Sequence, residues 1–365
     1  MKSGSSSAPP VPAPPHKSMG SPYDQLPDTA FWRTGVAEQA PDVIAGLYEP
    51  KFPITPETRI MTAGSCFAQH IHRNLAERAW SVIDTETPAK ALPARVLRQF
   101  GYGLYSARYG NIYTARQLLQ LIKEAYGEFS PAEPVWDREG RFYDSQRPNI
   151  EPDGFASGDQ VIEARTHHLA AVRQALGEAD VFIFTLGLTE TWLHRATGTV
   201  YPMAPGTLAG TYDPAHHGFY NFTLPEIMED LDAIRESLHA LNPDMKMLLT
   251  VSPVPLTATG VERHVLQSTT YSKSVLRAAA GGFCAGHADV DYFPSFDLIT
   301  SPAAGDRFYA PNLRSVTEEG VSAAMSMFFV AQGAEDAVLF DQSAPQSDED
   351  DDIICEEALI EAARR

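Results

Sequence analysis

The sequence predicts an α/β fold, a parallel sheet with helices on both faces, carrying one insertion and an extended N-terminal arm. Two observations lead there. Residues 59–63, 180–186, 245–251 and 290–293 are near-continuous apolar runs, three of them ended by Gly64, Gly187 and Ser252-Pro253, the signature of strands buried on both faces. Between them lie stretches with apolar residues at helical spacing, and strand–helix alternation builds a parallel sheet.

The elements follow in chain order. Residues 1–18 are rich in Ser, Pro and Ala with no apolar h-region, which predicts a disordered leader rather than a secretory signal. Residues 19–58 hold prolines and large aromatics (Pro22, Phe31, Trp32, Tyr48, Phe52), too many for a free linker, and predict an arm wrapped on the core. After Gly64, residues Cys66, Phe67, Ile71, Leu75 and Trp80 recur at helical spacing, giving strand, tight turn, helix. Residues 101–160 break the alternation with Tyr-Gly and Pro-Asn-Ile-Glu-Pro clusters around one helix at 114–126, a cap-like insertion. Further helices are expected at 161–176, 224–241 (stopped by Asn242-Pro243), 271–280 and 317–331. The domain so defined spans 19–340. The tail, 341–365, holds nine acids and two arginines. Its polar part predicts disorder, and Ile354, Ala358, Leu359 and Ala362 predict a frayed helix or a docking peptide for a protein partner.

The net charge is −19, and no basic stripe interleaved with aromatics occurs, which argues against nucleic acid. No apolar run reaches the ~18 residues of a membrane span, so the cytoplasm is the default location. Three widely spaced cysteines, Cys66, Cys284 and Cys355, fit neither a disulfide framework nor a zinc pattern. Neither a metal nor a cofactor is expected, for no His/Asp/Glu group has ligand spacing and no glycine loop has a phosphate-binding context.

Parallel sheets bind ligands at the carboxyl ends of their strands. Here those ends read Gly64-Ser65-Cys66, Gly187-Leu188-Thr189-Glu190 and Ser252-Pro253, small or polar where buried strands stop. At a strand–Gly–x–nucleophile–helix turn the helix N-terminus stabilises an oxyanion and favours a thiolate. Cys66 is thereby a candidate nucleophile; read structurally, Ser65 caps the helix and Cys66 packs.

The run Thr62-Ala63-Gly64-Ser65-Cys66-Phe67-Ala68 resembles the signature of the GSCFA family, grouped with the SGNH, or GDSL-type, hydrolases. Further similar pieces are Tyr109–Arg116, Thr185–Trp192, Val251–Pro255 and Tyr271-Ser-Lys273. The resemblance covers most of the chain from about Pro22 to about Phe329, and implies a flavodoxin-like, SGNH-type sheet and ester hydrolysis or acyl transfer. Laid on the superfamily's Gly-Asp-Ser turn, Cys66 takes the nucleophile's place, with Ser65 the fallback. Gly110, with Asn111 beside it, matches the second oxyanion block. Gly187, Thr189 and Glu190 match the third, Thr189 replacing its Asn. Where the superfamily has Asp-x-x-His, this chain has Asn312 and Ser315, and no histidine follows His287. The proton acceptor is then sought in His264, after the third strand, or His217, after the Gly187 block; otherwise both read as surface histidines. Lys273 reads as a solvated helix lysine or as a local positive charge. The expected function is an acyl hydrolase or acyltransferase acting on a small-molecule or glycan acyl substrate. The alternative is a non-catalytic SGNH-fold protein binding an acylated or glycan-like ligand, or a protein partner.

Overall fold

The computed structural model describes residues 20–334; the readings made for the leader, Cys355 and the acidic tail lie outside the described residues. The elements are β1 (Ile60–Gly64), α1 (Cys66–Glu77), α2 (Ala94–Gln99), α3 (Ala115–Ala125), β2 (Val135–Arg138), β3 (Arg141–Asp144), α4 (Gly158–Glu178), β4 (Val181–Leu186), β5 (Glu190–His194), β6 (Val200–Tyr201), β7 (His217–Asn221), α5 (Leu224–Leu241), β8 (Lys246–Val251), α6 (Val265–Gly286), β9 (Val290–Tyr292), α7 (Ser295–Ile299) and α8 (Glu318–Ala331). The main sheet runs β1-β4-β8-β9, every pair parallel. A parallel bridge from Ile60 to Val82 extends it beyond β1.

The alternation of strand side chains divides the core in two. Met61, Ala63, Phe182, Phe184, Leu186, Met247, Leu249 and Val251 pack under the apolar stripes of α3, α4, α5 and α6. Ile60, Val181, Ile183 and Leu248 meet α1, α7, α8 and the arm residues Tyr48, Phe52 and Ile54 on the opposite face. Helices thus cover both faces, and the arm is fastened to them: the Ile54 N–H donates to Gln332 Oε1 at 2.8 Å, and the Tyr48 hydroxyl donates to Asp291 at 3.2 Å.

Three parts of the architecture depart from expectation. Residues 190–221, to which the sequence assigns no strand or helix, form a three-stranded antiparallel sheet, order β6-β5-β7, which starts four residues after the end of β4. The insertion carries the β2–β3 hairpin, turned at Glu139-Gly140, both with positive φ. Helix α6 begins six residues before the predicted start, capped by His264.

A buried chain of charges ties the insertion to the helices. Arg165 on α4 forks onto Glu124 of α3 and reaches Asp144 Oδ1 at 3.0 Å. Asp144 takes Arg147 Nε at 2.7 Å, Arg147 continues to Glu86 at 3.5 Å, and Glu86 receives His168 Nδ1 at 2.7 Å. His168 is fully buried, because its helix face is covered by the insertion. Its Nε2 has no partner among the described residues and lines a cavity of about 10 Å³, room for one water.

Burial, reinforced by Arg147 and opposed by Glu86, pushes the His168 imidazole down to about 4; burial does the same to His72, also to about 4. Burial alone would raise Glu86 and Asp144. Against it, His168 and Arg147 hold Glu86 down at about 2, and Arg165 and Arg147 hold Asp144 down at about 2. Each group binds protons more readily when unfolded, so stability rises with pH through each window. The histidine contribution is complete above the unfolded value of 6.5 and lost toward 4. The carboxylate contribution is complete above about 4.5 and lost toward 2. The melting temperature is therefore expected to be flat above about pH 7, to sag between 6.5 and 4, and to collapse below that; a flat profile from pH 7 to 4.5 would show that neither histidine is buried neutral.

Candidate active site

The site is built on the turn at the end of β1. Gly64 has φ +146°, and a Cβ there would lie 2.6 Å from the Thr185 carbonyl oxygen on the neighbouring strand, so only glycine fits both the conformation and the space. Ser65 follows in extended conformation as the N-cap of α1, but its hydroxyl makes no capping bond. Ser65 Oγ is buried with no hydrogen-bond partner among the described residues, and Thr185 Oγ1 and Thr189 Oγ1 share that condition. Cys66 is the first residue of α1 and 5% exposed. The first N–H groups of a helix have no intrahelical acceptor and carry the positive end of its dipole.

Three segments close on this turn. The stretch after Gly110 (φ +68°) lies against β1, the Ile112 N–H donating to the Gly64 carbonyl at 2.8 Å. Asn111 is buried, and its Oδ1 accepts from the Tyr105 hydroxyl at 2.5 Å and from Gln69 Nε2 at 3.2 Å. Tyr105 shares that one proton with the Ser65 carbonyl at 3.2 Å, so this network grips the start of α1 and makes the NH₂ end of Asn111 the donor end. From β4, Gly187 touches the turn directly, since a Cβ on it would lie 3.0 Å from Ser65 Cβ. The Gly187 and Leu188 N–H groups donate to the Tyr113 carbonyl at 3.0 and 3.1 Å. From α6, Lys273 Nζ donates to the Gly187 carbonyl at 2.6 Å, while Ser272 Oγ accepts the Thr189 N–H at 2.9 Å. A buried cation therefore sits one residue from the turn. The arrangement offers a thiol at a helix N-terminus, N–H donors, a side-chain amide and a positive charge, the parts that stabilise an anion formed by attack on a carbonyl.

Cys66, Ser65, Gly110, Asn111, Gly187 and Thr189 are thus gathered at the ends of β1 and β4. Glu190 is beside them in a supporting position: its carboxylate accepts from Thr259 Oγ1 at 2.7 Å and from the Gly260 N–H at 3.0 Å, pinning the loop after β8. His264 is exposed, and its Nδ1 accepts the Leu266 N–H at 3.1 Å as the cap of α6. Nine residues of helix, about 13 Å of rise, separate it from Lys273, the α6 residue that reaches the strand ends. His217 is no surface histidine. It opens β7, buried, with Nε2 on Glu133 at 2.9 Å and Nδ1 accepting the Asp213 N–H at 3.0 Å. Asn312 is exposed and spends its side chain on its own turn, accepting from Arg314 and Ser315 N–H and donating to Ser315 Oγ. Cys284 is buried, and desolvation pushes its thiol up to about 12.

Sequence reasoning left Lys273 open between two readings and passed over His70. Lys273 is 5% exposed, not solvated; its helical register with Leu276, Ala280 and Phe283, all buried, was the available signal. His70 stands one turn after Cys66 on α1, where i,i+4 side chains are neighbours. It is buried with its ring 5.7 Å from Phe67. Arg73 lies 3.2 Å from His70 Nδ1; a guanidinium only donates, so the proton belongs on Nε2, making the ring a donor toward its surroundings.

Beside the turn opens a cleft of about 500 Å³, bounded by Tyr113 and Leu188 at the strand ends and by the β5–β7 sheet, including Trp192 and Phe219. Among the described residues no three His, Cys, Asp or Glu side chains form a metal-binding group, and no helix is long and apolar enough to cross a membrane.

The model of the GSCFA family matches residues 59–328. No curated protein matches the sequence. Among solved structures, an acetyl esterase mutant with acetate ion is similar over 76% of this chain and 99% of that one, at 12% identity and a TM-score of 0.33. An acetyl xylan esterase from the rumen bacterium Butyrivibrio proteoclasticus is similar over 78% of this chain and 66% of that one, at 12% identity and a TM-score of 0.26. At that distance neither likeness transfers a residue or an activity.

Proposed function

The chain belongs to the GSCFA family, and on that footing we propose that it is an acyl hydrolase or acyltransferase with Cys66 as nucleophile, acting on an ester or thioester of a small molecule or glycan. The observation that carries the reading is the Gly64 turn, which sets Cys66 at the first position of α1 next to Ser65, whose Cβ faces Gly187, itself held by the buried Lys273. The helix N-terminus and the lysine favour the thiolate. The thiolate attacks the acyl carbonyl carbon and a C–S bond forms. The carbonyl oxygen takes the charge, received by the first N–H groups of α1 and the Asn111 amide. The tetrahedral intermediate collapses, the bond to the leaving alcohol or thiol breaks, and the leaving group takes a proton. Water or an acceptor hydroxyl then attacks the thioester, loses its proton, and restores the thiolate. A thiolate formed in advance needs no base for its own attack, and the leaving group takes its proton from, and the attacking water or hydroxyl gives its proton to, solvent; His264, exposed as the cap of α6, lies away from the turn. Ser65 is the lesser candidate, because its Cβ faces Gly187 and its buried hydroxyl has no acceptor among the described residues to take its proton.

The second reading, a binding protein, is favoured by the last loop, where Asn312 and Ser315 hold each other in a surface turn and supply no base. Intact-mass spectrometry after mixing with p-nitrophenyl acetate separates the two. An added acetyl group, mapped to the peptide carrying Cys66 and discharged by hydroxylamine, is the expected result. Acetylation mapping to Ser65 would move the nucleophile by one residue, and absence of any adduct or turnover over a panel of acyl donors would favour the binding reading.

A further inference from the structure

We infer that the outer part of the N-terminal arm, residues 22–33, is the docking face for the chain's own C-terminal segment, residues 353–363; this stands apart from the acyl-transfer reading. The arm was expected to wrap on the core, and from Ile44 onward it does, through Ile44, Leu47, Tyr48, Phe52 and Ile54. Residues 22–33 do not. Every one of them is exposed, although they include Tyr23, Leu26, Phe31 and Trp32, with Tyr23 and Trp32 each 65% exposed. The segment is nevertheless folded. The Leu26 N–H donates to the Tyr23 carbonyl at 3.2 Å, the Phe31 N–H to the Asp28 carbonyl at 3.2 Å and the Gly35 N–H to the Phe31 carbonyl at 2.7 Å. The Thr34 hydroxyl donates to the Asp28 carbonyl at 2.6 Å. Successive turns thus hold four large apolar side chains away from the core. A single exposed apolar residue needs no explanation, but a run of them marks a surface that something covers.

The place where the described chain ends points to the occupant. Helix α8 finishes beside the arm: Gln332 Oε1 accepts the Ile54 N–H at 2.8 Å, and Ala334 packs on the same apolar cluster as Ile44 and Leu47. Residues 335–365 follow it. Extended, the stretch 335–352 spans at most about 60 Å, enough to bring residues 353–363 back onto the arm. At about 3.6 residues per turn, Ile354, Cys355, Ala358, Leu359 and Ala362 fall on one side of that segment, and Glu356, Glu357 and Glu361 on the other. A helix of about 11 residues is marginal alone in water, so such an apolar stripe needs a surface to form on. Tethering presents it to the arm at an effective concentration on the order of 1 mM, which a separate protein at micromolar levels does not match. Charge contributes little, for residues 20–33 hold Asp24 and Asp28 against a single cation, Arg33. Burial of apolar surface has to carry the contact.

Cys355, on the apolar side of the segment, reports the contact in the full chain. Its alkylation by N-ethylmaleimide is followed by mass spectrometry of the peptide that carries it. The comparison is Phe31→Ser combined with Trp32→Ser, which removes two exposed rings and leaves the core alone. With an effective concentration of about 1 mM and an intrinsic Kd of about 0.1 mM, docking should slow the wild-type reaction about ten-fold relative to that variant. Circular dichroism should show the same fold in both; should the variant misfold, Tyr23→Ser combined with Leu26→Ser replaces it. Protection is expected to persist at about 1 M salt, where ionic contacts are screened, and on dilution by about a hundred-fold, as an intramolecular contact must. Equal alkylation rates in wild type and variant overturn the inference. Protection that vanishes on dilution gives the face to a second copy of the chain, and protection that vanishes in salt makes the contact ionic; either result also overturns it.

Discussion

Asp144→Ala is expected to be among the most destabilising single substitutions in the protein, costing about 3–5 kcal/mol, the usual penalty for breaking a buried ion pair from one side. The carboxylate lies fully buried between Arg147 and Arg165. Its removal leaves two guanidinium groups facing each other across an empty space. Arg165 keeps Glu124, but Arg147 keeps only the longer contact to Glu86 and the Arg108 carbonyl. The insertion, α3 and α4 are joined through this chain, so the loss spreads to the segment carrying Tyr105 and Asn111, and with them the grip on α1. Asp144→Asn keeps the shape and a weaker acceptor and should cost less. Replacing Glu124, Asp144, Arg147 and Arg165 together by apolar residues of matching volume should cost less than Asp144→Ala alone, because Glu86 keeps His168 and no other charge of the network is then stranded. Chemical denaturation of the four proteins checks this. A loss under 1 kcal/mol for Asp144→Ala would mean that water reaches the network and screens it.

The sheet was legible because its strands are covered on both faces. Runs such as Val-Phe-Ile-Phe-Thr-Leu at 181–186 leave no reading but a buried strand, and their order against the helices gives the parallel topology. Residues 190–221 were opaque for the converse reason. Glu190-Thr-Trp-Leu-His and His217-Gly-Phe-Tyr-Asn are half-buried strands of mixed polarity, in which a five-residue alternation is hard to tell from loop. His217 was misjudged with them, since its burial depends on Glu133, 84 residues away. The ion network was invisible for the same cause: Glu86, Glu124, Asp144, Arg147 and Arg165 sit on separate elements, and no local pattern announces their meeting. At the site, Gly64-Ser65-Cys66 could be read because its physics is local, a turn followed by a helix start. Gln69 and Tyr105 could not, because their part is to hold Asn111, itself brought in by the fold.

Cys66→Ala is expected to reduce kcat/KM on any acyl donor the protein turns over by about 10⁴-fold or more, the scale on which loss of a nucleophile registers. Only the helix N–H groups, Asn111 and Lys273 would remain to act on the carbonyl, and they can stabilise an oxyanion but form no acyl-enzyme. Ser65→Ala is the control that gives this number its meaning. The Ser65 hydroxyl lacks a partner among the described residues and does not cap α1, so its removal should cost less than about ten-fold if Cys66 attacks. A reversed pattern, large at Ser65 and small at Cys66, assigns the chemistry to the serine. Lys273→Met separates electrostatics from attack. With the cation gone, the thiolate and the oxyanion both lose stabilisation, so the rate should fall by about 10²–10³-fold, the range seen on losing one oxyanion donor, and the pH at which the rate reaches half its maximum should move upward. A fall in rate with an unmoved pH profile would make Lys273 a brace for Gly187 and nothing more. Because Lys273 is buried against the Gly187 carbonyl, each variant's circular dichroism and melting curve must match the wild type before its rate is read. Equal, small losses in Cys66→Ala and Ser65→Ala would remove the turn from the chemistry altogether.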